Sequence, residues 1–366
     1  MENKHYLFCP GPVTLSEAVQ QSLPHPDMCH RVPEFEKIMT SIQQNLLKIF
    51  KANEKYTVLL ITGSGTAANE TVISSNYSED DHVLLINNGE FGCRLEELLE
   101  VHGVKATVLN YEWGRLPNLE EIESRIKSNP GITGIAMVYH ETSSGLINPV
   151  TQIGNLAKKY GKNYFVDGVS AVGGEDVNVV RDNIDLCTTS SNKCLASYPG
   201  VGIICVKKSR IEVIKNYKIQ VAYLNLPRLY EYSEKYHQTP NTPSVTAFVA
   251  LEAAVRRIHE EGLQNQIDRH KRCAKVIRDG VRKMGLRILV DEKYAANMVT
   301  SAFLPKNVDL ESFIQKLEDK GYTVYSGKRH LKEQRMFQIA NMGAITEDMC
   351  EDFLKTVAET LNEYPT

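Results

Sequence analysis

The sequence predicts an α/β fold, a mostly parallel sheet covered by helices, followed by a smaller α+β unit. Three observations carry that expectation. Residues 56 to 210 of the 366-residue chain alternate short apolar runs with helix-like stretches. Those runs are continuous rather than alternating, the habit of strands covered on both faces. Beyond about residue 243 the texture changes to long helical patterns with two short strand candidates.

In chain order, the first strand candidates are Thr57–Ile61, Val83–Ile86, Ile135–Tyr139, Tyr164–Val166 and Gly202–Val206. Amphipathic stretches such as Leu119–Lys127 and Val150–Tyr160 separate them, and this alternation is that of an α/β sheet. Helical patterns then run over Val245–Glu261 and Gln264–Met284. Strand candidates follow at Met298–Leu304 and Met336–Ile339, with helices near Leu310–Lys320 and Thr346–Leu361. The reading divides the chain into a large domain, 1–245, and a small C-terminal α+β domain, 246–366. Residues 1–20 are expected to join the small domain or a dimer contact.

Composition narrows the class. Hydrophobic content of 42% and charged content of 24% are ordinary for a globular enzyme. A net charge of −3 gives no reason to expect nucleic acid or an anionic membrane as partner. No apolar run approaches the roughly 18 residues of a membrane span, and Met1–His5 lacks the layout of a signal peptide. Eight scattered cysteines with no Cys-x-x-Cys pair fit reduced thiols better than a disulfide framework or a zinc site. A cytoplasmic protein without a bound metal is expected.

Four features carry chemistry. Lys193 closes the hydroxyl-rich segment Thr188–Asn192 and precedes Pro199-Gly200. An amine held there suits a lowered pKa and Schiff-base formation, although a surface lysine after a strand would read alike. Thr62-Gly63-Ser64-Gly65-Thr66 follows a strand and opens a helix near Ala67, a ready anion site or a bare tight turn. It lacks a P-loop ending, and no dinucleotide fingerprint follows. Asp167 ends an apolar strand, where open sheets place ligands, and could pair with a protonated ring nitrogen or simply with a cation. Phe91, in a turn after a strand, could stack on a flat ring or fill core. His140-Glu141-Thr142-Ser143-Ser144-Gly145 brings hydroxyls to another strand end. Together the set points to pyridoxal phosphate.

At these residues the sequence resembles the class V aminotransferases of fold type I, closest to the 2-aminoethylphosphonate–pyruvate aminotransferase branch. The resemblance spans nearly the whole chain. It runs through Pro10–Val13, Met28–Arg31, Gly63–Thr66, Asn88–Gly92, His140–Gly145, Ser190–Lys193, Thr239–Thr242 and Phe337–Gly343. It implies a seven-stranded, mostly parallel sheet in the large domain. It also implies Lys193 as the Schiff-base lysine, Asp167 on the pyridine nitrogen and Phe91 stacked on the ring. Ser64, Gly65 and Thr66 would hold the phosphate, Thr142 would reach the ring hydroxyl, and Asn192 and Thr239 would belong to the cofactor site. Thr242 would reach the phosphate of a neighbouring subunit, which implies a homodimer with shared sites.

One position departs from the pattern. Where the family carries an arginine that grips a substrate carboxylate, this chain has Gln338, which cannot form that bidentate fork. Losing such a charge-assisted pair costs about 2 kcal/mol of substrate binding. Arg335, Arg329 and Lys328 are cations of the same loop region, and Arg31 is another that could reach the site mouth. The expectation is an aminotransferase acting by a ping-pong mechanism on a small phosphonate or phosphate amine and a keto acid. The alternatives are an aminotransferase for a carboxylate-free carbonyl, such as a ketose phosphate, or a pyridoxal-phosphate lyase or decarboxylase.

Overall fold

The structure, a computed structural model, describes residues 5–23 and 25–365. Met1–Lys4, part of the expectation about the amino terminus, lie outside the described residues.

Seven strands form the main sheet: β1 (Tyr56–Thr62), β2 (His82–Asn87), β3 (Lys105–Asn110), β4 (Gly134–Val138), β5 (Asn163–Asp167), β6 (Leu186–Ser190) and β7 (Val201–Lys207). Their order is β1-β7-β6-β5-β4-β2-β3, and β7 alone runs antiparallel to its neighbours. The inner strands are buried on both faces, which is why the sequence shows them as unbroken apolar runs. β3 escaped that reading because it is an edge strand that opens on exposed Lys105 and Ala106. β6 escaped it because Thr188, Thr189 and Ser190 lie in the strand itself rather than behind it.

The parallel arrangement sends the ends of β1, β2, β4, β5 and β6 to one edge. Gly63–Thr66, Asn88–Phe91, His140–Thr142, Asp167 and Ser191–Lys193 therefore meet there.

A second sheet has the order β8 (Arg287–Ile288), β9 (Val299–Phe303), β11 (Met336–Ala340), β10 (Tyr325–Ser326), antiparallel throughout. Helices Leu263–Lys283, Leu310–Asp319 and Glu347–Asn362 cover one face, with Cys273, Phe313, Phe337, Ile339 and Phe353 in its core. In register on the opposite face stand Ser301, Gln338 and Tyr325. The opening segment joins this sheet's neighbourhood. Tyr6–Leu7 pairs with Tyr322–Thr323, Ala340 N–H donates to Phe8 O at 2.8 Å, and Thr14 bridges Gly343.

Helix Val245–Glu261, which the sequence grouped with the C-terminal domain, packs instead on the large sheet. Its Ala247, Phe248, Leu251, Val255 and Ile258 share the apolar cluster that holds Phe35, Ile42 and Leu46 of helix Pro33–Ile49. Helical periodicity identifies the buried face but not the partner that covers it. Among the described residues no helix is long and apolar enough to cross a membrane, no group of His, Cys, Asp or Glu could hold a metal ion, and all eight cysteines are free.

Candidate active site

Helix Gly65–Asn76 begins directly after β1, earlier than the sequence suggested. Ser64 caps it, its Oγ accepting from Ala67 N–H at 3.3 Å. The N–H groups of Gly65 and Thr66 cannot be satisfied inside the helix, and they donate to nothing else among the described residues. A Cβ on Gly65 would stand 2.7 Å from Val169, so the anion-ready backbone lies against the turn that follows Asp167.

Asp167 is fully buried. Its Oδ1 accepts from Val169 N–H at 2.9 Å and its Oδ2 from Asn69 Nδ2 at 2.6 Å. Asn69 is held in turn, because the Thr188 hydroxyl donates to its Oδ1. Burial raises the Asp167 carboxyl above the usual range, and the two donors, then Arg94 and Lys193, pull it back.

Lys193 follows β6 in a turn braced by Ser191 N–H to Val201 O at 3.0 Å and by Gln266 Nε2 to Cys194 O at 3.2 Å. Its Nζ donates to Pro10 O, and a Cβ on Gly11 would lie 2.6 Å from that amine. Gly11 also has φ +127, so only glycine fits there without strain. Burial lowers the Lys193 pKa and Arg94 lowers it further, while Cys194, Cys9 and Asp167 act the other way. Asn192 sits half-buried beside it.

Phe91 is the second residue of helix Glu90–Val101 and not a turn residue as expected. Arg94, one helical turn on, lies 5.0 Å over the Phe91 ring and donates to Thr66 Oγ1 at 3.5 Å, which links the aromatic to the anion loop.

Thr142 is buried, its hydroxyl donating to His140 O at 3.2 Å. The Thr142 carbonyl accepts from Gln338 Nε2 at 2.7 Å, and the same Nε2 donates to Ser301 Oγ at 3.2 Å. A carbonyl only accepts, so the Gln338 amide must turn its NH2 towards Thr142. Its Oε1 then points away and accepts no hydrogen bond among the described residues. Tyr325, beside Gln338 in register, donates to Gly11 O at 3.3 Å, which places this row next to the Lys193 amine.

The other cations scatter. Arg329 pairs with Glu90 Oε2 at 2.7 Å, near the Phe91 helix, and Lys328 beside it is exposed. Arg335 lines a surface hollow with Lys306 and Glu333. Arg31 donates to Thr239 O at 2.8 Å and Pro240 O at 3.1 Å, holding the loop of Thr239 and exposed Thr242. That loop lies against Thr62, whose hydroxyl accepts from Ser244 N–H at 2.9 Å.

Sequence reasoning missed Asn69, Arg94 and Glu141. Asn69 and Arg94 are polar residues on helices and look like solvated faces until the helices are docked. Glu141 was visible inside a hydroxyl-rich run, but its partners lie some fifty residues away.

This donor set suits pyridoxal phosphate. A buried carboxylate fits a ring nitrogen, two unused helix-start N–H groups fit a phosphate, and a desolvated amine fits an aldehyde. The comparisons with known proteins agree. The family described as aminotransferase class-V matches residues 16–344. An uncharacterized aminotransferase of Methanocaldococcus jannaschii is 35% identical over 357 residues, 97% of this chain and 91% of the relative. A 2-aminoethylphosphonate–pyruvate transaminase of Bacillus cereus is 30% identical over 364 residues, 98% of each chain. Among solved structures, the ureidoglycine–glyoxylate aminotransferase of Bacillus subtilis superposes with a TM-score of 0.92 at 28% identity, covering 98% of this chain and 93% of that one. The chain belongs to the class V aminotransferases, enzymes that move amino groups with pyridoxal phosphate.

Proposed function

We propose that the protein transfers an amino group between a small phosphonate or phosphate amine and a keto acid by a ping-pong exchange. The observation that carries this reading is the likeness, along nearly the whole chain, to 2-aminoethylphosphonate–pyruvate transaminases. Bound pyridoxal phosphate supplies the electron sink for the substrate Cα. The protein's own residues divide the remaining work. Gly65 and Thr66 N–H groups, with the Ser64 and Thr66 hydroxyls, hold the phosphate. Asp167 keeps a proton on the ring nitrogen, Phe91 covers the ring and Thr142 reaches the ring hydroxyl. Lys193 Nζ, its pKa lowered by burial, takes and returns the Cα proton. Asn192 and Thr239 border the cofactor, and Thr242 serves the neighbouring subunit's phosphate in a homodimer. The protein works in the cytoplasm, and its two domains meet at Gly262, after the helix that packs on the large sheet.

A second reading is favoured by Gln338. With both N–H donors engaged, its free Oε1 offers an acceptor, which repels a carboxylate and suits a hydroxyl or an ammonium group. On this reading one half-reaction uses a carboxylate-free carbonyl, such as a ketose phosphate. The test is spectral conversion of the bound cofactor to its amine form. Candidate donors are 2-aminoethylphosphonate, aminoalcohol phosphates, L-alanine and L-glutamate. Conversion by the phosphonate or phosphate amines supports the first reading. Conversion by the plain amino acids alone overturns it.

A further inference from the structure

Helix Glu90–Val101 has no cap of its own. Its N-cap is Gly89, which has no side chain, and its first backbone donors are met by a distant segment. Glu90 N–H donates to Ser143 Oγ at 3.1 Å, Phe91 N–H to Glu141 Oε1 at 3.4 Å and Gly92 N–H to Glu141 Oε2 at 3.1 Å. Ser143 donates its hydroxyl to Glu141 Oε1 at 2.6 Å and its N–H to the same oxygen at 3.2 Å. Three successive orphan N–H groups are therefore capped from residues 141 and 143.

Gly89 is part of the device, since a Cβ there would stand 2.2 Å from Glu141 Cγ and Cδ. Glu141 is completely buried and faces no basic side chain in a salt bridge among the described residues. Burial pushes its carboxyl up to about 7 against the pull of Ser143, Gly92 and Phe91. A full set of donors aimed at a buried carboxylate is costly to assemble unless the geometry it fixes matters.

We propose that Glu141 is a positioning residue, acting with Ser143 as a remote cap that fixes the start of the Phe91 helix and so sets the Phe91 ring in the cofactor site. This rests on the reading of Phe91 as the ring that covers the cofactor, not on any choice of substrate. Because the helix cannot slide along its axis while three of its N–H groups are held, the ring stays at one position relative to residues 141 and 143.

The test is a double-mutant cycle on the holoenzyme, read as the dissociation constant of pyridoxal phosphate by equilibrium dialysis at a pH of about 8, where Glu141 is ionised. Glu141→Gln turns an amide NH2 against N–H donors and is expected to weaken cofactor binding about tenfold. In a Phe91→Ala background the same change is expected to cost less than about twofold. A mere loss of fold stability would appear equally in both backgrounds. Equal losses, no loss from Glu141→Gln, or no loss from Phe91→Ala would each overturn the proposal. Should Glu141→Gln not fold, Ser143→Ala runs in the same cycle, with an expected loss of about threefold that also disappears without Phe91. A failed donor screen bears on the substrate alone and leaves this measurement intact.

Discussion

Replacing Asn69 by alanine tests how the site keeps a buried acid charged. Asn69 donates to Asp167 Oδ2 at 2.6 Å, one of two hydrogen bonds that hold the carboxylate, and it accepts from Thr188. A hydrogen bond to a charged group contributes about 1.5–3 kcal/mol, and an orphaned hydroxyl costs about 1 kcal/mol more. Asn69→Ala should therefore destabilise the cofactor-free protein by about 3 kcal/mol at a pH of about 8. The pH dependence gives the sharper check. Asp167 has a folded pKa raised above its unfolded value, so the unfolded chain binds fewer protons over that interval and stability falls as pH rises through it. Removing Asn69, whose hydrogen bond lowers the folded value, raises it further. The deficit should then be largest at slightly alkaline pH and shrink towards pH 4, leaving about the 1 kcal/mol owed to Thr188. Urea unfolding at fixed protein concentration, at pH values of about 5 and 8, measures both terms. A deficit equal at the two values would refute the idea that Asn69 stabilises the charged form of Asp167.

Other substitutions probe the remaining parts. Lys193→Ala should abolish turnover while leaving noncovalent cofactor binding measurable, and ordinary turnover would remove the lysine from the chemistry. Because burial lowers the Lys193 pKa, the amine gives up its proton at lower pH than a free lysine does, and single-turnover rates should rise with pH through that lowered value. Arg94→Gln removes a cation that bears on both Lys193 and Asp167. In the cofactor-free protein it should move both values upward, read by NMR pH titration of the isotopically labelled lysine and aspartate side chains. Gln338→Arg can keep the bond to Thr142 O and present further N–H groups. About tenfold higher kcat/KM for plain α-amino acids is expected, and an unchanged value would place Gln338 outside the carboxylate subsite.

Much of the fold was legible because its strands are buried on both faces, and Val83–Ile86 or Tyr164–Val166 could hardly be anything else. β3 was not, since Lys105 and Ala106 at an exposed edge carry no apolar signal. Lys193, Asp167 and the Gly63–Thr66 turn were legible because each sits at the end of a strand, a local property. What could not be read was anything that depends on which elements touch. The Thr188–Asn69–Asp167 relay joins a strand, a helix and another strand. The helical state of Phe91 depends on a cap supplied from residues 141 and 143. Gln338 was flagged for the group it cannot bind, but its orientation is dictated by the Thr142 carbonyl, a partner 196 positions away.

The seat of the Lys193 amine against Pro10 and Gly11 has a consequence for how the protein is made. Those residues are held in place by Tyr325, by Ala340 through Phe8, and by Gly343 through Thr14. During synthesis the large sheet can assemble as soon as β7 has emerged, yet the pocket around the amine closes only when the strand ending at Ala340 has joined the opening segment. A nascent or truncated chain lacking that strand would carry the lysine in a wetter setting, without the burial that lowers its pKa. The buried seat of this amine is thus completed late, when Pro10 and Gly11 meet the strand ending at Ala340.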